Sequence, residues 1–317
     1  MKKNLFSIIV RALLSGIWLL TSVTGQTRPQ DVVRRTATQE LSVKVTTEIV
    51  NLLVTVTDRR NVAVAGLEPQ HFQVYEDNVQ RRIEYFQCVD EPLSIGIIYD
   101  LSGSMKKKLA GSREAVNAFM QASHPDDDFF LLGFNQRCNL LADFADADAI
   151  TARLRTSQAE GSTALYDAVY LGIEKLRVGR HAKRALLIVS DGADNASRFS
   201  RGELYQRLRE ENILVYCLGY KMWLGEDCDW ERNTLEDLAR MTGGGAFFPD
   251  SAAELEQAVS TIALELRQQY SLAYTARAGD HDKQWRHIKV RVIPPTRGLK
   301  LRVRAREGYY ATIGTNQ

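Results

Sequence analysis

A chain of 317 residues is long enough for one to three domains with a sizeable buried core. Hydrophobic residues at 44% and charged residues at 25% are ordinary for a globular protein, and a formal net charge of +2 gives no electrostatic footprint for nucleic acid. The lysine run Lys106-Lys107-Lys108 is too short to supply one.

Lys2 and Lys3 precede a mostly apolar stretch from Leu5 to Leu20, and Val23-Thr24-Gly25 follows with small residues. That order predicts an export signal over residues 1–25, cleaved near Gly25. Arg11 leaves too short a clean span for a good transmembrane helix, so no integral membrane span is expected after cleavage. The mature protein is then periplasmic, on the cell surface or secreted. Residues 26–40 are polar without periodicity and read as a flexible leader.

Residues 41–91 alternate as β-strands do. Ser42 to Thr46, Leu53 to Thr57, Phe72 to Glu76 and Gln80 to Phe86 read as strands, with Asp58 to Asn61 and Asp77-Asn78 as turns. In residues 92–268, apolar strands at Leu93 to Tyr99, Phe129 to Phe134, Ala185 to Ser190, Ile213 to Gly219 and Ala246 to Phe248 alternate with amphipathic helices. Leu165, Val169, Ile173 and Leu176 share one helical face, as do Leu255, Val259, Ile262 and Leu266. This alternation predicts a doubly wound α/β domain with a mostly parallel sheet covered on both faces.

Residues 269–317 are β again, with strands over Tyr270 to Thr275, Ile288 to Ile293 and Leu299 to Arg304. Gly279 to Asp282 reads as a polar hairpin tip rather than a second metal site. A few strands alone cannot bury an inner face. The two flanking segments are therefore expected to form one β-sandwich into which the α/β domain is inserted; two separate small β units are the alternative. Cys88, Cys138, Cys217 and Cys228 permit two disulfides without specifying a pairing, although Cys217 with Cys228 would close a short loop.

Three loops carry the candidate chemistry. Asp100-Leu101-Ser102-Gly103-Ser104 follows the strand at Leu93 to Tyr99, at the carboxyl end where open α/β sheets place ligands. Thr163, in Gly161-Ser162-Thr163, stands near a helix start, and Asp191 follows the strand at Ala185 to Ser190. Taken singly, Thr163 reads as a helix cap and Asp191 as a turn residue. Taken in this order and at these positions, the loops favour one site. Asp, Ser and Thr offer hard oxygens that suit Mg²⁺, Mn²⁺ or Ca²⁺ better than zinc.

DLSGS, GSTAL and SDGAD, in that order, resemble the von Willebrand factor type A domain and its metal-ion-dependent adhesion site. The resemblance spans roughly Pro92 to Gln268. Val54 to Asp58, Gly66-Leu67, Phe72 to Asp77 and Arg306 to Tyr310 further resemble the bacterial exported subgroup of von Willebrand A-related proteins. The resemblance implies that Ser102, Ser104 and Thr163 ligate a divalent cation, Mg²⁺ foremost, through their hydroxyls. Asp100 and Asp191 supply charge, directly or through waters. An Asp or Glu carboxylate of a protein partner would complete the shell.

The expected function is therefore a non-catalytic, metal-dependent binding or adhesion module. A structural subunit of an envelope assembly and a metal-assisted hydrolase are the alternatives. No His-Glu-x-x-His helix, Gly-x-Ser-x-Gly elbow or phosphate loop favours the last. Lys106 to Lys108 read as the start of a helix beside the site, either a solvated face or an electropositive rim steering acidic partners. The Asp126 to Asp128 run reads as an exposed turn.

Overall fold

Strand β5 (Leu93–Asp100) is buried along its whole length, which requires cover on both faces. The computed structural model, which describes residues 49–88, 90–219, 229–276, 284–296 and 298–311, provides that cover with two layers of helices. The expected signal, the leader, the strand at Ser42 to Thr46, the Gly279 to Asp282 turn and Cys228 lie outside the described residues.

Parallel to β5 run β6 (Asp128–Phe134) on one side and β8 (Lys183–Val189) on the other. β9 (Leu214–Leu218) and β10 (Ala246–Phe247) extend the sheet beyond β8. β7 (Cys138–Ala145) closes the opposite edge antiparallel to β6, giving the order β10-β9-β8-β5-β6-β7. Alternation along β5 sorts the core. Leu93, Ile95, Ile97 and Tyr99 face α1 (Leu109–Ala122), α2 (Ala147–Thr156) and α6 (Ala252–Arg267). Ile98 faces the layer of α3 (Leu165–Leu176), α4 (Arg201–Glu210) and α5 (Asp229–Thr242). Both predicted helical stripes are buried.

The flanking segments interleave. One sheet has the order β13-β1-β11-β4, from β1 (Ile49–Thr57), β4 (Tyr85–Cys88), β11 (Tyr270–Thr275) and β13 (Arg302–Arg304). The other has the order β14-β12-β2-β3, from β2 (Phe72–Glu76), β3 (Val79–Arg81), β12 (Trp285–Val292) and β14 (Gly308–Tyr310). Val50, Leu52, Val54, Phe72, Val74, Leu272, Tyr274 and Ile288 share one core between them. The stretch Gln80 to Phe86, expected as one strand, divides instead. β3 pairs with β2 in one sheet, and β4 pairs with β11 in the other.

A buried polar contact joins sandwich to α/β layer. Arg304 of β13 pairs with Glu265 of α6, whose residue is fully buried. Cys88, Cys138 and Cys217 form no disulfide with one another. The Asp126 to Asp128 run is more structured than expected. Asp127 accepts hydrogen bonds from the backbone N–H of Leu93 (2.6 Å) and His124 (3.0 Å), and Asp128 is a buried start to β6.

Candidate metal centre

The chain leaves β5 through α1 to β6 on one side, then returns through α3 to β8 on the other. The carboxyl ends of β5 and β8 are thus a topological switch point, where crossovers diverge and leave a crevice. Asp100 is the last residue of β5, Asp191 lies two residues beyond β8, and Thr163 lies two residues before α3. Asp100, Ser102, Thr163 and Asp191 are all buried, and Ser104 is exposed.

Backbone and side-chain hydrogen bonds lace the three loops together. Gly103 N–H donates to the Gly161 carbonyl (2.9 Å), tying the first loop to the second. Ser190 Oγ donates to Asp100 Oδ2 (2.7 Å) and accepts from Gly192 N–H (3.0 Å), tying the first to the third. Thr163 N–H donates to Asn195 Oδ1 (2.9 Å), while the Thr163 carbonyl accepts from Asn195 and Ala196 N–H, tying the second to the third. Within the first loop, Ser102 Oγ and Ser104 Oγ stand 3.0 Å apart. Gly161 (φ +80°) and Gly192 (φ +87°) occupy the left-handed region their turns require, whereas Gly103 does not.

Asp100 Oδ1 accepts from Ser102 N–H (2.8 Å), so both its oxygens already have protein donors. Burial pushes its carboxyl up to about 6, against the opposing hydrogen bonds of Ser102 and Ser190 and with help from the nearby Asp191 charge. Asp191 differs. Its Oδ2 accepts from Lys108 Nζ at 2.8 Å, and its buried Oδ1 has no hydrogen-bond partner among the described residues. A buried carboxylate oxygen without a donor is costly unless something positive completes it.

This donor set fits a hard divalent cation. Hydroxyls of Ser102, Ser104 and Thr163, with Asp191 Oδ1, would offer oxygen ligands of low total charge, and Asp100 would add negative charge. Among the described residues no group of three or more His, Cys, Asp or Glu side chains gathers to hold a metal, so a cation at these loops would rest largely on hydroxyl oxygens.

Sequence reasoning missed several residues of this region. Lys108 is not part of a rim. Lys106 and Lys107 are exposed, but Lys108 is buried, and α1 begins after the run, at Leu109, behind a single 3-10 turn over Gly103–Met105. Ser190 and Asn195 were given no role in the site, although both lie in or beside the quoted SDGAD segment. Asp167 was missed too: its Oδ1 accepts from Arg198 and Phe199 N–H, both at 2.9 Å, shaping the loop that supports Thr163. Trp230, in the first turn of α5, is 63% exposed with the Arg201 guanidinium 4.9 Å over its ring.

Strand order and helix placement make a doubly wound α/β domain with the three loops at its switch point, here joined to a β-sandwich. No model of a known protein family matches the chain, and no curated protein matches it. Among solved structures, the chain is similar to the von Willebrand factor domain of the type V pili tip protein Mfa5 from Porphyromonas gingivalis, at 12% identity and a TM-score of 0.45. That match covers 56% of this chain and 95% of that one. A von Willebrand factor type A protein from Catenulispora acidiphila matches at 13% identity and a TM-score of 0.46, over 80% of this chain and 72% of that one. The PilB minor pilin from Streptococcus sanguinis matches at 13% identity and 0.44, over 56% and 62%.

Proposed function

We propose that the protein is an exported, non-catalytic binding module that captures an acidic group of a protein partner through a divalent cation, Mg²⁺ foremost. The observation that carries this reading is Asp191 Oδ1, a buried carboxylate oxygen with no hydrogen-bond partner among the described residues, on a loop that hydrogen bonds tie to the loops of Ser102, Ser104 and Thr163. A divalent ion there would polarise an incoming oxygen ligand. The residues of this chain do the rest. Ser102, Ser104 and Thr163 present neutral oxygens, and Asp191 supplies a direct negative charge. Asp100, held by Ser102 and Ser190, keeps the first and third loops in register. A coordination position left to a partner favours a carboxylate, the hard anionic ligand that proteins carry.

The arrangement of the histidines supports binding over hydrolysis. His124 and His181 stand near the amino-terminal ends of β6 and β8, across the sheet from the site. His71 and His287 belong to the sandwich segments. No described histidine is therefore placed to serve as a general base for Ser102 or Ser104. Among the described residues, no helix is long and apolar enough to cross a membrane.

The test is metal dependence. Asp100→Ala is expected to abolish Mg²⁺-dependent recovery of partners from the native envelope while leaving the circular-dichroism spectrum intact. Recovery of the same partners at equal yield in EDTA would overturn the adhesion-site reading.

A further inference from the structure

Lys108 sits where helix physics disfavours it. It is the N-cap of α1, a position that prefers Ser, Thr, Asp or Asn, and its charge lies at the positive end of the helix dipole. Its backbone carbonyl accepts from Ser112 N–H to open the helix. Its side chain is 8% exposed, although lysine is rarely buried without a partner. The partner is Asp191, itself 9% exposed, at 2.8 Å. Two exposed lysines immediately precede it, so a solvated charge was available at this point in the chain and Lys108 departs from it.

The electrostatics of the cluster explain the departure. Asp100 and Asp191 are two buried acids brought together at the loop ends, where Ser190, next to Asp191 in sequence, donates its hydroxyl to Asp100 Oδ2. Without a cation beside them, the pair would repel in a medium of low dielectric constant. The Lys108 ammonium balances one of the two charges and occupies one oxygen of Asp191, leaving the other oxygen open.

We propose that Lys108 is the resident counter-cation of this centre, sharing Asp191 with an incoming divalent ion, so that it weakens metal binding by itself and favours a partner carboxylate afterwards. The inference rests on the metal-site reading above. With Lys108 in place, a bound divalent ion leaves the two carboxylates over-neutralised by one positive charge. A partner's carboxylate removes that surplus. Without Lys108 the loaded site is already neutral, and the pull on an anion is lost. Metal retention and partner capture are thus opposed through one side chain.

The experiment uses the full chain and Mn²⁺ alone as probe, titrated calorimetrically with and without acetate as a minimal carboxylate. Lys108→Met and Lys108→Gln are compared with wild type, with the charge-conserving Lys108→Arg, with Lys106→Met at an exposed position and with Asp191→Ala. Removing one positive charge beside the metal is expected to tighten Mn²⁺ binding about tenfold or more. Acetate should strengthen Mn²⁺ binding to wild type and do so less in both neutral variants, by the reciprocity of linked binding. In EDTA, Lys108→Met should melt below Lys106→Met, because it leaves Asp191 buried without its partner. Lys108→Arg and Lys106→Met should bind Mn²⁺ as wild type does. Equal or weaker Mn²⁺ affinity in the neutral variants, with Asp191→Ala still defective, overturns the role of Lys108 and leaves the metal site standing. Failure of wild type and all variants to bind Mn²⁺ overturns both.

Discussion

Asp100 carries an electrostatic cost that the fold must bear. Its carboxyl is pushed up to about 6 chiefly by desolvation, from an unfolded value of roughly 4. A raised folded value means that the fold takes up a proton. The stabilisation from that proton is complete below about pH 4 and disappears as pH rises through about 6. In EDTA, Asp100→Asn should therefore raise the melting temperature relative to wild type more at pH 7.5 than at pH 4.5. An equal difference at both values would show that burial does not shift this acid. The residues that sequence reading assigned to the site are those whose types announce oxygen chemistry. Lys108 was not legible because its partner lies 83 residues away and a run of three lysines normally faces water.

At the scale of elements, the third loop depends on one backbone conformation. Gly192 has φ +87°, and a Cβ added there would stand 2.5 Å from the backbone oxygen of Glu231 at the start of α5. Gly192→Ala combines a strained dihedral with a contact against backbone, and is expected to cost about 1 kcal/mol or more. It should also weaken Mn²⁺ binding, since Asp191 precedes it. Gly202→Ala, inside α4 with its nearest neighbour at 3.9 Å, is the control and should be neutral or slightly stabilising in a melting experiment.

Elements with a buried face were readable: β5, β8 and β9 as apolar runs, α3 and α6 as stripes of period 3.6. β7 was not, because it is a half-buried edge strand whose pairing with β6 shifts register between Phe129 and Leu132, which breaks its alternation. α4, expected only as an unlocated helix between β8 and β9, showed no apolar stripe because it is mostly charged. Its buried side includes Arg207, held by Glu174 at 2.6 Å and Glu211 at 2.8 Å, and periodicity of apolar residues does not register an ion-paired face. β14, at three residues, is too short to carry a period, although Gly308 and Tyr309 are buried.

Over the whole molecule, the sandwich is a joint product of both ends of the described chain. β1 has β11 and β13 as its neighbours, and β2 has β12 and β3. A chain lacking residues 269–317 would strip β1 of both pairing partners and expose Val50, Leu52, Val54 and Val56. Amide exchange across residues 49–57 should then become as fast as in an unfolded peptide, while the β5 and β8 amides stay protected. Retained protection of β1 in the truncated chain would mean that the amino-terminal strands fold by themselves. The interleaving was legible in outline from core size, since few strands cannot bury an inner face. The division of Gln80 to Phe86 between two sheets was not, because composition does not mark a crossing at Arg82 to Glu84.

This interleaving also sets an order of assembly. Leu67 N–H donates to the Tyr270 hydroxyl across 203 residues of sequence, and β1 finds its neighbours at comparable separation. Contacts so distant must close a long loop before they return any stabilisation, whereas the strands and helices of the α/β layer meet over shorter spans. The inserted domain therefore acts as the clasp that brings the ends together. It is expected to form first, to hold Leu93 and Gln269 at fixed positions, and to turn the closing of the sandwich into a local search. Refolding of the intact protein should consequently be paced by its outermost segments, not by the inserted α/β domain.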